Sequence, residues 1–257
     1  MDEAHRPAVP PERVGVSVGP SRAHSPLEGR KDWDRHVRQA DELSRTPGFR
    51  DLRDRIVTRA APAPGERVLD VGSGTGLLAL AVAPSCAGVW AIDVAPAMVE
   101  HLRWVLAGAE VGNVYPLVAS AVSLPFDDDS IDLVVSNYCF HHLTAAGKQE
   151  ALADAFRVLR PGGRLVFGDM MFGWSPGIGR NRAIVGAKVR AIARRGPAGY
   201  RRILANGFRL LSGRGEHPAP PDWWQAALLE AGFDEIRIEL LAHEGGIASA
   251  TKAAAPG

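Results

Sequence analysis

Nine residues, Val68-Leu69-Asp70-Val71-Gly72-Ser73-Gly74-Thr75-Gly76, constrain the fold of this chain more than any others. Arg67 to Val71 is a short apolar run that reads as a buried strand. Three glycines at alternate positions follow, and then an amphipathic segment, Leu77 to Ala83. A strand, a glycine turn and a helix start together bring bare backbone close to a ligand, with helix N–H groups directed at it. The next apolar run, Gly88 to Ile92, ends on Asp93, 17 residues beyond Gly76. A carboxylate at that strand tip suits the two hydroxyls of a ribose. The pattern is the nucleoside-binding half of a doubly wound sheet.

A dinucleotide turn is spaced G-x-G-x-x-G, and its third glycine lets helix and strand pack closely. Here the spacing is G-x-G-x-G, and Leu77 stands in that third place. Asp70, two residues before the first glycine, suits a cationic ligand better than a pyrophosphate. Two later segments add to this: Ser123-Leu124-Pro125-Phe126-Asp127-Asp128-Asp129-Ser130-Ile131-Asp132-Leu133-Val134, and Phe156-Arg157-Val158-Leu159-Arg160-Pro161-Gly162-Gly163. Asp70 to Gly76 resembles motif I of the class I S-adenosylmethionine-dependent methyltransferases. The other two segments are similar to that family's "LPF…FDLV" and "RVLKPGG" stretches. Their order and spacing resemble the subgroup of small-molecule and menaquinone/ubiquinone methyltransferases. The resemblance spans residues 50 to 170 closely and 222 to 252 loosely.

The rest of the chain alternates in the same way. Helices are expected over Trp33–Ser44 and Phe49–Ala60, from apolar residues at helical spacing. Strands at 67–71, 88–93, 114–119, 131–136 and 163–169 alternate with helices at 77–83, 96–107 and 145–160. Gly162-Gly163 reads as a sharp helix-to-strand reversal. A helix over Trp223–Ala231 precedes two strands, Glu235–Leu241 and Gly246–Thr251, whose short link requires an antiparallel pair. The expected fold is α/β: a Rossmann-like, seven-stranded, mostly parallel sheet with an antiparallel last strand, a helical N-terminal lid and an inserted helical cap. Residues 1–30, rich in proline and poor in large apolar groups, are expected to be a disordered tail. Residues 31–257 then form the domain, with the cap inserted at about 174–217.

Composition narrows the function classes. Hydrophobic residues make up 46% of the 257 positions, enough for one large core, and the net charge of +1 predicts no polyanionic partner. Two cysteines without C-x-x-C spacing, Cys86 and Cys139, fit a reduced cytoplasmic protein with no structural metal. No apolar run nears the ~20 residues of a membrane span, and no secretory leader is visible. Residues 174–217 are the exception to the charge balance, with ten Lys and Arg against the single acid Glu216. This run reads as a solvated cap, as a cap that attracts an anionic or lipid-like substrate or a membrane surface, or as a nucleic-acid surface. No recognisable nucleic-acid module accompanies it, so no nucleic acid is expected. Oligomeric state is not legible.

The resemblance implies S-adenosylmethionine as cofactor and assigns roles. Gly72, Ser73, Gly74 and Gly76 would lie beneath its amino-acid and ribose portions, and Asp93 with Val94 would take the ribose. Asp70 would bond the loop or the cofactor's ammonium group through water, or merely cap backbone amides. Ser120, Ala121 and Val122 follow the third strand, where the family usually carries an aspartate for the adenine amino group. Ser120 offers only a hydroxyl there, so the backbone N–H of Ala121 or Val122 gains importance. Asn137 opens the segment where methyl donor and acceptor meet. That segment lacks the N/D-P-P-Y/F motif of amino-group methyltransferases. His141, His142 and Asp169 are the candidate bases for a hydroxyl acceptor, each with a purely structural alternative. Trp33, Tyr138, His142 and Trp174 are candidates for the wall of a small, apolar acceptor's pocket, methylated on oxygen or carbon. An NAD(P)-dependent oxidoreductase and a non-catalytic S-adenosylmethionine-binding protein are the alternatives.

Overall fold

The computed structural model describes residues 36–173 and 216–254, together with Gly179, Arg182, Ala183, Gly186 and Arg190, which are helical. The 1–30 tail, Trp33, Trp174 and all but a few residues of the basic cap therefore lie outside the described residues.

Seven strands form one sheet: β1 (Arg67–Val71), β2 (Gly88–Asp93), β3 (Val114–Val118), β4 (Ile131–Asn137), β5 (Leu159–Met170), β6 (Asp234–Leu240) and β7 (Gly245–Thr251). Their order is β3-β2-β1-β4-β5-β7-β6. The pairs β1–β2, β1–β4, β2–β3 and β4–β5 are parallel, while β7 runs antiparallel to both β5 and β6. The chain reverses strand order at β1, with β2 on one side and β4 on the other. In open α/β sheets the crevice above such a switch point is the ligand site.

The helices are α1 (Val37–Ser44), α2 (Pro47–Ala60), α3 (Ala79–Val82), α4 (Pro96–Ala107), α5 (Ala145–Val158) and α6 (Pro221–Glu230). Residues alternate between the two sheet faces, so each face has its own core. Leu52 and Ile56 of α2, Val82 of α3 and Leu102 of α4 pack with Val68, Val89, Leu133 and Val166. On the other face Leu152 and Ala155 of α5 and Trp224 and Leu228 of α6 pack with Leu69, Val134, Leu165 and Phe167. Of the two N-terminal helices, α2 is a sheet-covering helix. A Cβ on Gly168 of β5 would lie 2.8 Å from Leu52 Cδ1. Helix α1 contributes no buried residue and touches α2 and α4.

Two boundaries differ from the sequence expectation. The helix expected over 77–83 is reduced to the four residues of α3, followed by a 3-10 turn at Ala83–Ser85. Pro84 stops it, because proline has no N–H to give an α-helix interior. Gly162-Gly163 is not a helix-to-strand reversal. Helix α5 ends at Val158 and β5 starts at once with Leu159. The register jumps from Ile131↔Leu159 to Leu133↔Arg164, so the intervening residues bulge out of the strand. Gly162, at φ +78°, donates its N–H to Lys252 O at 2.9 Å in that bulge.

The two later motifs prove to be structural bolts. Arg157 of α5 donates to the carbonyls of Phe126 (2.7 Å) and Leu124 (3.0 Å) and to Asp154 and Asp128. It thereby clamps the Leu124–Phe126 loop over the sheet. Arg164 holds the C-terminus of α2 through Ala60 O and Ala61 O while paired to Glu66. At the rims, Val89 N donates to Asn113 O, so alternate residues of β3 face β2 and Pro116 faces outward. Strand β6, the opposite rim, is irregular between Asp234 and Arg237, with Glu235 at φ +48°.

Candidate active site

The glycine turn sits at the tip of β1. Gly72, Gly74 and Gly76 all have positive φ, at +71°, +52° and +91°. Three different constraints apply. A Cβ on Gly72 would fall 2.3 Å from Cys139 Sγ, and one on Gly76 2.3 Å from Leu102 Cδ1. A Cβ on Gly74 would meet nothing within 4 Å, so Gly74 borders open space. The turn is held from below by Ile92 O, which accepts from both Gly72 N and Ser73 N at 2.9 Å.

Asp93 shapes the turn as well as facing it. One carboxylate oxygen accepts from Gly74 N (2.9 Å) and the other from Ala95 N (2.9 Å), next to the start of α4. The same side chain thus fixes the glycine turn and the entry to the next helix. Val94 follows it, half-buried. Helix α3 is too short to direct a row of amides at a ligand, so the donors here are loop amides.

A set of buried acceptors lacks donors. Asp70 is 1% exposed, and neither of its oxygens has a hydrogen-bond partner. Burial, with a smaller contribution from the Asp93 charge, pushes its carboxyl up to about 7, and the nearby Ala79 amide opposes this only partly. Ser73 Oγ and Asn137 Oδ1 are likewise buried without partners. Asp70 pairs in register with Val135, so Asp70 and Asn137 project on the same face at neighbouring strand tips. Leaving buried polar groups unpaired is unfavourable, and such exceptions point to a missing ligand. Asp70 and Asn137 Oδ1 need donors, while the Ser73 hydroxyl can donate or accept, so a ligand bearing donors, such as a cation, suits them.

The chain leaves β4 through a strained residue. Tyr138 has φ +55°, rare for a bulky side chain. Its N–H donates to Gly168 O (2.8 Å), and its ring packs on Phe49 with centroids 4.8 Å apart. Burial, then Glu244 and Asp169, hold its phenol above the usual range. This turn lays Cys139 over Gly72. Burial, then Asp93, Asp169 and Asp70, push the Cys139 thiol well up, away from thiolate chemistry.

Next comes the short turn Phe140–His142, where two of the sequence candidates meet. His141 Nδ1 lies 2.7 Å from Asp169 Oδ1, and His141 N donates to Asp169 Oδ2 (3.0 Å). Met170 N also donates to Asp169 Oδ1. Asp169 is fully buried and its oxygens are engaged, so it meets the site through His141 rather than directly. With Nδ1 facing the carboxylate, Nε2 is the nitrogen left for proton transfer. The His142 ring lies 3.8 Å from that of His141 and is half-buried.

Ser120 is turned to its own backbone. It forms a bridge with Ser123, and its Oγ accepts from Val122 N at 3.4 Å. That also occupies the Val122 amide and leaves Ala121 as the amide of this turn without such a bond.

Sequence reading missed Lys148. It is 2% exposed in α5, and Nζ donates to Leu143 O (2.6 Å) and His217 O (2.7 Å). Burial pushes its ammonium down to about 8, against the pull of Asp169. A signal was present, since Lys148, Ala151, Leu152 and Ala155 share one helical stripe. His217 was missed too. Its N–H donates to His141 O (2.7 Å), and burial, then Lys148, lower its imidazole.

Comparison with known proteins gives this geometry a context. The family model for the methyltransferase domain matches residues 68–163. A demethylmenaquinone methyltransferase of Clavibacter sepedonicus is 44% identical over 110 residues, covering 42% of this chain and 43% of that protein. An arsenite methyltransferase of Halobacterium salinarum is 40% identical over 116 residues, 44% of this chain and 29% of that protein. This chain thus spans less than half the length of either curated relative. Phosphoethanolamine N-methyltransferase 2 of Haemonchus contortus, solved with S-adenosyl-L-methionine, superposes with a TM-score of 0.65. It covers 86% of this chain and 57% of that one at 17% identity, a likeness of fold alone.

Proposed function

Starting from a chain that carries a class I S-adenosylmethionine-dependent methyltransferase domain, we propose that it methylates a small, largely apolar acceptor on oxygen or carbon. The observation that carries this reading is the set of donorless acceptors, Asp70, Ser73 and Asn137, beside the open face of Gly74. These residues fit S-adenosylmethionine: its ammonium group supplies the missing donors, and the bare turn admits its backbone-like portion. Gly72, Ser73, Gly74 and Gly76 form the floor. Asp93 and Val94 take the ribose, with Asp93 also setting the turn. Ser120, Ala121 and Val122 border the base, with the Ala121 amide as the donor.

When bound, the cofactor supplies an activated methyl group on a sulfonium. The chain's own residues then align an acceptor and remove its proton. His141 Nε2 takes the proton of an acceptor hydroxyl, while Asp169 holds the ring by Nδ1. Tyr138 and His142 wall the acceptor side; Trp33 and Trp174, expected with them from the sequence, lie outside the described residues. The relatives named for demethylmenaquinone support an apolar, quinone-like acceptor. Arsenite is less suited. Trivalent arsenic favours thiolates, yet Cys86 is buried with its thiol pushed up to about 11, and the half-buried Cys139 packs on Gly72 with its thiol pushed well up. The basic run 174–217 favours an acceptor, or a lipid surface holding it, that carries negative charge.

The test has two stages. Calorimetry should detect S-adenosylhomocysteine and not NADH. Radiolabelled methyl transfer is then assayed across hydroxylated quinone-like and phenolic acceptors. Binding of NADH in place of S-adenosylhomocysteine overturns the reading. Binding of S-adenosylhomocysteine with no turnover on any acceptor leaves only a cofactor-binding protein.

A further inference from the structure

Among the described residues, Lys148 is the buried ammonium next to the proposed base, and its bonds are specific. It joins two segments that flank His141. Leu143 closes the turn that carries His141, its N–H donating to Phe140 O at 2.9 Å, while its carbonyl accepts from Lys148 Nζ. His217 O belongs to the segment whose N–H is bonded to His141 O at 2.7 Å. Lys148 therefore grips the His141 turn at its end and, through His217, at its middle. The nearby ring of Trp223, 6.0 Å from Nζ, and the Asp169 charge complete its surroundings. A lysine on an apolar helix stripe is a poor choice for packing alone. Burying a charge is unfavourable, and a methionine of like length would fill the space without that penalty.

We propose that Lys148 is a positioning residue: by bridging the carbonyls of Leu143 and His217 it keeps the Phe140–Leu143 turn closed, so that the His141 ring stays seated on Asp169. This rests on the reading of His141 as the base. The clamp also ties His217, just after residues 174–215, to the base, so the end of the inserted segment and the base share one fastening.

The experiment uses the full chain and needs no acceptor. The His141 Nδ1 proton, sheltered by Asp169, gives a far-downfield NMR signal identified by its loss in His141→Gln. In Lys148→Met the exchange of this proton with water should rise at least about tenfold, while affinity for S-adenosylhomocysteine stays within about twofold. Lys148→Gln, which keeps an NH2 group, should restore part of the protection. Leu152→Ala, a cavity on the same helix, should lower stability and leave the protection unchanged. A folded Lys148→Met with wild-type protection overturns the proposal. If Lys148→Met does not fold, native-state hydrogen exchange of the wild type decides. The Leu143 and His217 amides and the His141 Nδ1 proton should open together, and independent opening overturns the clamp. Full methyl transfer by His141→Gln would sink the base reading while leaving these exchange results standing.

Discussion

If Asp70 receives the cationic group of S-adenosylmethionine as proposed, binding should depend on pH near neutrality rather than in the acid range of most carboxylates. Burial pushes the Asp70 carboxyl up to about 7, with the Ala79 amide opposing this only partly. A cationic ligand seated beside it favours the ionised form, so binding at lower pH must expel a proton. With a carboxyl at about 7, about one molecule in ten carries the ionised, binding-competent form at pH 6, and about nine in ten at pH 8. The dissociation constant of S-adenosylhomocysteine should therefore be about tenfold weaker at pH 6 than at pH 8. Calorimetry in two buffers of different ionisation enthalpy measures the released proton directly. Near one proton is expected at pH 6 and close to none at pH 8. Asp70→Asn should bind weakly and with no pH dependence over this range. The unliganded protein supplies a check of sign. A carboxyl raised from 3.8 to about 7 favours folding at acid pH, and that stabilisation, at most about 4 kcal/mol, is lost as pH rises through 7. Affinity that is flat from pH 6 to 8, with no proton released, refutes the reasoning.

Further perturbations separate the parts of the site. Gly74→Ala forces a positive φ on a residue with no contact to gain, so stability should fall by only about 1–2 kcal/mol while S-adenosylhomocysteine binding is lost. Gly72→Ala, driven into Cys139, should cost more stability than Gly74→Ala, and equal melting temperatures would contradict this. Asp93→Ala removes the acceptor for Gly74 N and Ala95 N as well as the proposed ribose ligand. Affinity should drop about tenfold to a hundredfold, with a measurable loss of melting temperature, and an unchanged affinity would place the ribose elsewhere. Reversing Arg194, Arg195, Arg201 and Arg202 should weaken co-sedimentation with anionic vesicles and leave S-adenosylhomocysteine binding intact. Unchanged sedimentation would reduce the basic run to a solvated face.

The glycine turn and its neighbouring carboxylate were legible because their geometry is local. Positive-φ glycines at fixed spacing and a carboxylate at the following strand tip lie within 24 residues of one another, Asp70 to Asp93. The second role of Asp93, bonding Gly74 N and Ala95 N, was not, because it depends on where the turn folds back. His141 and Asp169 could each be suspected from the sequence, but not as a pair. Their contact follows from the β4–β5 register, which brings Asn137 opposite Gly168. The Gly162-Gly163 bulge was misread for the same reason, since its partner is Lys252, far along the chain. Lys148 stood on an apolar stripe, yet a lone lysine there is ordinarily solvated. Only the carbonyls of Leu143 and His217 distinguish it.

The rims of the sheet set how this chain can associate. An exposed strand edge invites another backbone to join it. Here Pro116 removes an outward N–H from one margin, and the kink at Glu235 bends the other out of register. Neither margin offers a continuous run of backbone donors and acceptors. Among the described residues, the two sheet margins therefore favour association through side chains of helices and loops over addition of a further strand.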